Sequence, residues 1–284
     1  MPPRNFIKLS APATKEFWKI PVVFEDETLL ALDKPTQLLT SPDRYNAERP
    51  NVMKILHRDI AAGAASMGER GLTYLANVHR LDFETSGILL LAKTKTALIH
   101  LANQFGEERP HKRYFAIING NPALDEFEVD QPLAHHPIRV HEVRVDVDNG
   151  KKSRTAFKVV ERFRSYSLVE CRPFTGRTHQ IRVHLKHYGY PVVGDKLYGG
   201  GPLLLSHLKR DFRLKKDRAE NPLINRVALH ASELTVTHPV TLQEVTIQAP
   251  MAHDMAVALK FLRKFGMASA QTASAVETAE VNPS

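Results

Sequence analysis

The chain has 284 residues, 43% of them hydrophobic, which is enough for one large core or two modest ones. A formal net charge of +8 favours a polyanionic partner such as nucleic acid. A single cysteine, Cys171, excludes a disulfide framework and a cysteine metal cage; no apolar run reaches the roughly 18 residues of a membrane span, and the N-terminus lacks the apolar stretch of a secretory signal. The expectation is a cytoplasmic monomer with no membrane or metal partner.

Residues 1–17 show no hydrophobic period and read as a flexible arm. "PVVFEDETLLALDKP" (21–35) reads as strand, reversal, strand, stopped by Pro35. "NVMKILHRDIAAGAA" (51–65) reads as a helix with Asn51 as its N-cap. "NVHRL" and "GILLLAKT" read as strands around the polar turn "DFETSG". Helical spacing of Ala97, Leu98, Leu101 and Phe105 predicts a helix over 95–107. "KRYFAIING" (112–120) is a further strand, and "HEVRVDVDNGKKSR" alternates into a "DNG" hairpin signal. "TAFKVVERF" and "YSLVECRPF" follow as strands, and "RTHQIRVHLKHYG" as a helix stopped by Gly189. "ALHASELTVTHP" and "EVTIQAP" are late strands, "HDMAVALKFLRKFG" a last helix. Residues 267–284 are small and polar and read as a disordered tail.

Strands outnumber helices and hairpins outnumber crossovers, so the fold class is α+β with a mainly antiparallel sheet. One domain is expected over 18–266. Within it, 200–226 looks inserted and carries seven basic residues: Lys209, Arg210, Arg213, Lys215, Lys216, Arg218 and Arg226. Phosphate contacts by such a segment would make affinity for a nucleic acid fall with salt.

Chemistry gathers in two places. Asp82 stands among "VHRLDFETSGILLLA", where both flanks are apolar. Taken alone, such an aspartate would cap the turn by accepting backbone N–H groups. Burial of the flanks requires that its carboxylate be paired or neutralised. A partner is available in "TGRTHQIRVH" (175–184): a helix from Thr178 would place Thr178, Arg182 and Leu185 on one face, and His179 with Val183.

The stretch "HRLDFETSGILLLAKT" resembles the signature of the RluA family of RNA pseudouridine synthases. "VVFEDETLLALDKP", "KRYFAIING", "TGRTHQIRVHLKHYGYPVVGDKLYG" and "VALHASELTVTHPVTLQEVTIQAP" resemble its other motifs, in the family's order, over about residues 21–250. The resemblance implies one α+β catalytic domain, with a central mixed, mostly antiparallel sheet, flanking helices and a cleft. It also implies an isomerase that converts specific uridines of rRNA or tRNA into pseudouridine without cofactor or metal. It maps the catalytic aspartate onto Asp82, the base-stacking tyrosine onto Tyr114 and the aspartate's arginine partner onto Arg182. RNA contacts are expected from Arg80, His79, Arg177, His179 and Gln180, and from Lys215, Lys216 and Arg218 of the basic segment.

The chemistry needs these types. The N-glycosidic bond must break, the uracil must turn, and C5 must bond to C1′. A carboxylate can serve as nucleophile or as base at the ribose. Arginine keeps it charged in a dry pocket. An aromatic face holds the detached base. The target base must first be extruded.

Two departures stand out. Many relatives have Gly two residues after "KP", where this chain has Gln37, so the local turn geometry comes into question. Many also carry an S4 RNA-binding module ahead of the catalytic domain. The roughly 20 residues before the first strand are too few for one, so RNA binding is expected from the catalytic domain itself. The histidine groups His135, His136, His141 and His179, His184, His187 lack metal-ligand spacing, and "GYPVVGDKLYGGG" lacks a phosphate-loop pattern. The rival function is a non-catalytic RNA-binding module on the same scaffold, set apart by whether Asp82, Tyr114 and Arg182 are all present.

Overall fold

Apolar residues at every second position mark half-buried strands, as in Phe6–Ala11, where Ile7, Leu9 and Ala11 face inward. The computed structural model describes residues 5–43, 46–209, 211–214 and 219–267. It opens with β1 (Phe6–Ala11), β2 (Glu16–Glu25), β3 (Leu29–Lys34), α1 (Val52–Ala61), α2 (Ala65–Gly68), β4 (Ala76–Asn77) and β5 (Ser86–Ala92). Then follow α3 (Lys95–Gly106), β6 (His111–Asn119), β7 (Glu126–Asp130), β8 (Leu133–His135), β9 (Val143–Val145), β10 (Arg154–Arg162) and β11 (Tyr166–Pro173). The chain continues through α4 (Gln180–His187), α5 (Leu205–Leu208), β12 (Leu229–Thr237), β13 (Glu244–Gln248) and α6 (His253–Phe265).

Eleven strands form one sheet in the order β1-β2-β3-β5-β12-β6-β11-β10-β7, with β4 added to β5 and β13 to β12. Its pairings are antiparallel except β5 with β12, which run parallel over two residue pairs, His230–Ser86 and Ala231–Gly87. The result is the expected mixed, mostly antiparallel sheet flanked by helices. Gly87 is required at the parallel junction: at φ +111, a Cβ there would lie 2.1 Å from the Ala231 carbonyl oxygen. The helices α1 and α2 cover one face of β1, β2, β3 and β5, and α3 covers the other face of β3 and β5. The largest core lies between β6, β10, β11 and the helices α4 and α6.

Asn51 is buried and caps α1, its Oδ1 accepting the Lys54 N–H at 2.8 Å. Asn51→Ala is expected to cost about 1 kcal/mol. The check is a urea midpoint that falls with unchanged slope; an unmoved midpoint would mean that water replaces the cap.

Several local expectations change. The segment read as an arm is a β1–β2 hairpin from Phe6 on, because Ile7, Leu9 and Ile20 alternate onto α1; residues 1–4 lie outside the described residues. The "NVHRL" strand shrinks to β4, which pairs with β5 at Ala76–Ala92 and Asn77–Leu91. The "DNG" turn forms, with Gly150 N–H donating to the Asp146 carbonyl, but it closes no hairpin. Instead β9 pairs with β8, and β10 with β7 and β11.

The basic segment is also different from its reading. Leu203, Leu208 and Ile224 are buried in the main core. Arg226 is buried too: it holds Asp254 at the start of α6 through two bonds of 2.8 Å and donates to the Val227 and Leu229 carbonyls. It is a tether between α6 and β12, not a surface cation. Arg210, Lys215, Lys216 and Arg218 lie outside the described residues, as does the expected tail beyond Met267.

Candidate active site

The loop between β4 and β5 aims Asp82. Its backbone is pinned from three sides. Thr40 Oγ1 accepts the Leu81 N–H and donates to the Leu81 carbonyl, both at 3.1 Å. Thr36 Oγ1 donates to the Glu84 carbonyl at 3.0 Å, and Thr85 N–H closes a turn onto the Asp82 carbonyl. Beneath them, the buried Lys34 ammonium donates to the Pro35 and Leu38 carbonyls at 2.7 and 2.8 Å. Burial pulls Lys34 down to about 7, against the opposing charges of Asp82 and Asp33. Gln37 adopts φ +58, so the turn after "KP" keeps a left-handed conformation without glycine, at about 1–2 kcal/mol of local strain.

Among the described residues no backbone N–H caps the Asp82 carboxylate. It faces α4 instead. Arg182 Nη1 lies 3.5 Å and His179 Nε2 3.9 Å from its Oδ2. Among the described residues nothing is bonded to Oδ1, so that oxygen is open to the cavity. Arg182 itself is 5% exposed and belongs first to Asp195, with Nε–Oδ2 at 2.6 Å and Nη2–Oδ1 at 2.8 Å. Burial opposes the guanidinium charge, but the Asp195 bonds and the Asp82 charge outweigh it and hold the group more basic than usual.

Helix α4 begins at Gln180 rather than Thr178 because His179 sits at φ +54, a conformation costing a non-glycine residue about 1–3 kcal/mol. The "same face" expectation thus changes: Leu185 is core, while Thr178 and Arg182 both line the cavity. Gln180 is buried, with its amide committed to Thr175, Arg177, Arg154 and Thr155, so it builds the 175–180 loop and is not available to a ligand.

Tyr114 comes from mid-sheet. It pairs with Cys171 of β11 and Ala231 of β12, and Ala231 pairs with Gly87. One small residue, Ala231, thus separates the tyrosine from Gly87 at the start of β5, a span of two strand spacings or about 10 Å. Burial and the nearby Asp82 charge push the phenol well above its usual value, so it stays protonated. Asp82, Tyr114 and Arg182 share a pocket of about 120 Å3 with Arg80, Lys112, Arg177 and His179. Asp82 and Arg182 also border a wider cleft of about 400 Å3, reached by Arg49, Arg80, His135 and His141. Arg80 is exposed, and no described residue takes its guanidinium. Burial pulls Lys112 down to about 8, and it donates to the Phe174 and Thr175 carbonyls.

His79 does not join this group. Its ring stacks on Phe105 at 5.3 Å and its Nε2 accepts the Leu90 N–H at 3.0 Å. Burial lowers it to about 4, so it is a neutral structural ring. His184 is likewise structural, between Thr155 Oγ1 and the Gln131 carbonyl. Among the described residues no group of three His, Cys, Asp or Glu could hold a metal ion, and no helix is long and apolar enough to cross a membrane. Sequence reading missed Asp195, Lys112 and Lys34. Asp195 was visible in "GDKLYG", because a buried arginine demands a buried counter-charge.

The family model described as RNA pseudouridylate synthase matches residues 28–187. The chain is 36% identical over 259 residues to ribosomal large subunit pseudouridine synthase D of Zymomonas mobilis, covering 90% of this chain and 77% of that protein. It is 33% identical to the dual-specificity RNA pseudouridine synthase RluA of Salmonella typhimurium, covering 83% and 94%. The solved structure of human RNA pseudouridylate synthase domain containing 1 shares the fold, with a TM-score of 0.62, 23% identity and coverage of 93% and 97%. With its pinned aspartate, buried arginine and mid-sheet tyrosine around one pocket, the chain belongs to the RNA pseudouridylate synthase family.

Proposed function

We propose that the protein isomerises specific uridines of structured RNA, ribosomal or transfer, to pseudouridine, as a cytoplasmic enzyme with Asp82 as the reacting carboxylate. The observation that carries this reading is the meeting of Asp82, Tyr114 and Arg182 at one pocket from three distant chain segments. The flipped uridine enters the smaller pocket, and the flanking strand lies along the wider cleft. The open Oδ1 of Asp82 acts at the ribose. The N1–C1′ bond breaks, the uracil turns against Tyr114, C5 bonds to C1′, the C5 proton leaves, and N1 takes up a proton, so the product is an isomer of uridine. Arg80 and Arg177 at the rim meet phosphates, and Lys215, Lys216 and Arg218 add to that field. The names of several relatives specify the ribosomal large subunit, which supports ribosomal RNA as a target class.

The test is tritium release from C5-labelled uridine in ribosomal and transfer RNA, followed by mapping of the pseudouridine lost when the gene is deleted. RNA bound without tritium release from any substrate would leave the non-catalytic binding module as the function.

Tyr114 gives a separate prediction. Tyr114→Phe keeps the ring and is expected to keep RNA affinity. Tyr114→Ala is expected to lose about 1–3 kcal/mol of stacking and most of the turnover. Unimpaired tritium release by both variants would remove Tyr114 from the reaction.

A further inference from the structure

His179 holds an unusual place. It is a non-glycine residue at φ +54 immediately before α4, with one ring nitrogen directed at Tyr198 and the other at Asp82. The Tyr198 hydroxyl is 2.8 Å from His179 Nδ1 and accepts the Val143 N–H at 2.9 Å. A backbone N–H can only donate, and Tyr198 is 1% exposed. The hydroxyl proton therefore has one acceptor among the described residues, the Nδ1 lone pair. The opposite arrangement would bury a hydroxyl proton with nothing to receive it. Nδ1 is then unprotonated, and the neutral ring carries its proton on Nε2, the nitrogen that faces Asp82 Oδ2.

We propose that His179 is a positioning residue for Asp82, locked by Tyr198 as the Nε2–H tautomer and presenting that N–H to the carboxylate. This rests on Asp82 being the reacting group. Both Arg182 and His179 approach Oδ2, at 3.5 and 3.9 Å, which favours a carboxylate rotation that leaves Oδ1 for the ribose. At 3.9 Å the His179 contact is open, and closing such distances in the substrate complex is ordinary. Tyr198 is itself held in a small core of Leu133, Val143 and Val183, so the orientation is inherited from the packing of β8, β9 and α4. The charged groups facing the imidazole are Asp82, Arg182, Asp195 and Arg80. Burial keeps it below its usual value, and therefore neutral at pH 7.

The experiment uses the full chain with 15N-labelled histidine. NMR of the parent is expected to show an unprotonated Nδ1 and a protonated Nε2 for His179 at neutral pH. Tyr198→Phe is expected to release that preference. In tritium release, His179→Asn suits the left-handed backbone and keeps a polar group near Tyr198, but it is too short for Asp82. Its kcat is expected to fall about tenfold to a hundredfold with KM and melting temperature nearly unchanged. His179→Gln, whose amide reaches further, is expected to recover part of that loss. An Nδ1–H tautomer in the parent, an unchanged tautomer in Tyr198→Phe, or a His179→Asn variant altered only in KM would each overturn the proposal. A parent that releases no tritium from any RNA would overturn the functional reading instead, and the spectra separate the two failures.

Discussion

Asp82→Asn is expected to abolish turnover while leaving a folded protein that binds RNA. The substitution keeps the shape and removes the negative charge. It therefore removes both the nucleophile and the base that the ribose chemistry can use, a loss on the order of 10^4-fold or more. Folding should survive for a specific reason. Arg182 does not depend on Asp82: its two short bonds go to Asp195, and the Asp82 contact is 3.5 Å with a side chain that is 20% exposed. The loop holding residue 82 is fixed by Thr36 and Thr40 through backbone groups, which the amide leaves untouched. RNA affinity should hold because phosphate contacts dominate it. Tritium release and RNA binding should be measured on one preparation. A folded, RNA-binding Asp82→Asn protein that released tritium at the parent rate would remove Asp82 from the chemistry.

The strands and long helices were legible in the sequence wherever one period ran unbroken, as in β10, β11 and α6. Asn51 and Pro35 marked boundaries by local chemistry alone. The failures were mostly tertiary. In "FIKLSA" the alternation of Ile7, Leu9 and Ala11 is a local strand signal, but it is short, and the cover that α1 gives it is not legible nearby. The "DNG" turn is locally correct, yet its strands find better partners elsewhere because β7 and β11 offer longer registers to β10. In the site, the need for a charge partner pointed from Asp82 to the segment that holds Arg182, but Tyr114 joined them only through resemblance. Resemblance could not separate His79 and Gln180, which build walls, from Arg80 and His179, which face the cavity. That distinction depends on hydrogen-bond saturation. Gln180 has every amide position occupied, whereas Arg80 has no described partner. Arg226 makes the same point from outside the site: a basic residue in a basic segment, yet buried against Asp254.

Asp195→Ala is expected to be the most destabilising change near the site. Arg182 and Asp195 are both buried, and removing one member of such a pair leaves an uncompensated charge, at about 3–5 kcal/mol. The Tyr198 backbone N–H would lose its 3.3 Å bond to the Asp195 carboxylate and keep the 3.1 Å bond to the Asp195 carbonyl. Asp82 cannot take over in its present position, because its carboxylate reaches a different guanidinium nitrogen at the longer distance. If Arg182 swung towards it, the carboxylate would be drawn from the ribose and turnover would fall with stability. The two effects can be parted. In the double variant Arg182→Met with Asp195→Leu, both buried charges go, and apolar pairs of similar size are commonly neutral or stabilising. Stability should recover towards the parent, while turnover should not, because the guanidinium that faces Asp82 Oδ2 at 3.5 Å is then gone. Urea midpoints with slopes for the three proteins, beside tritium release, decide it. An Asp195→Ala protein as stable and as active as the parent would show that the buried pair neither supports the fold nor orients the carboxylate.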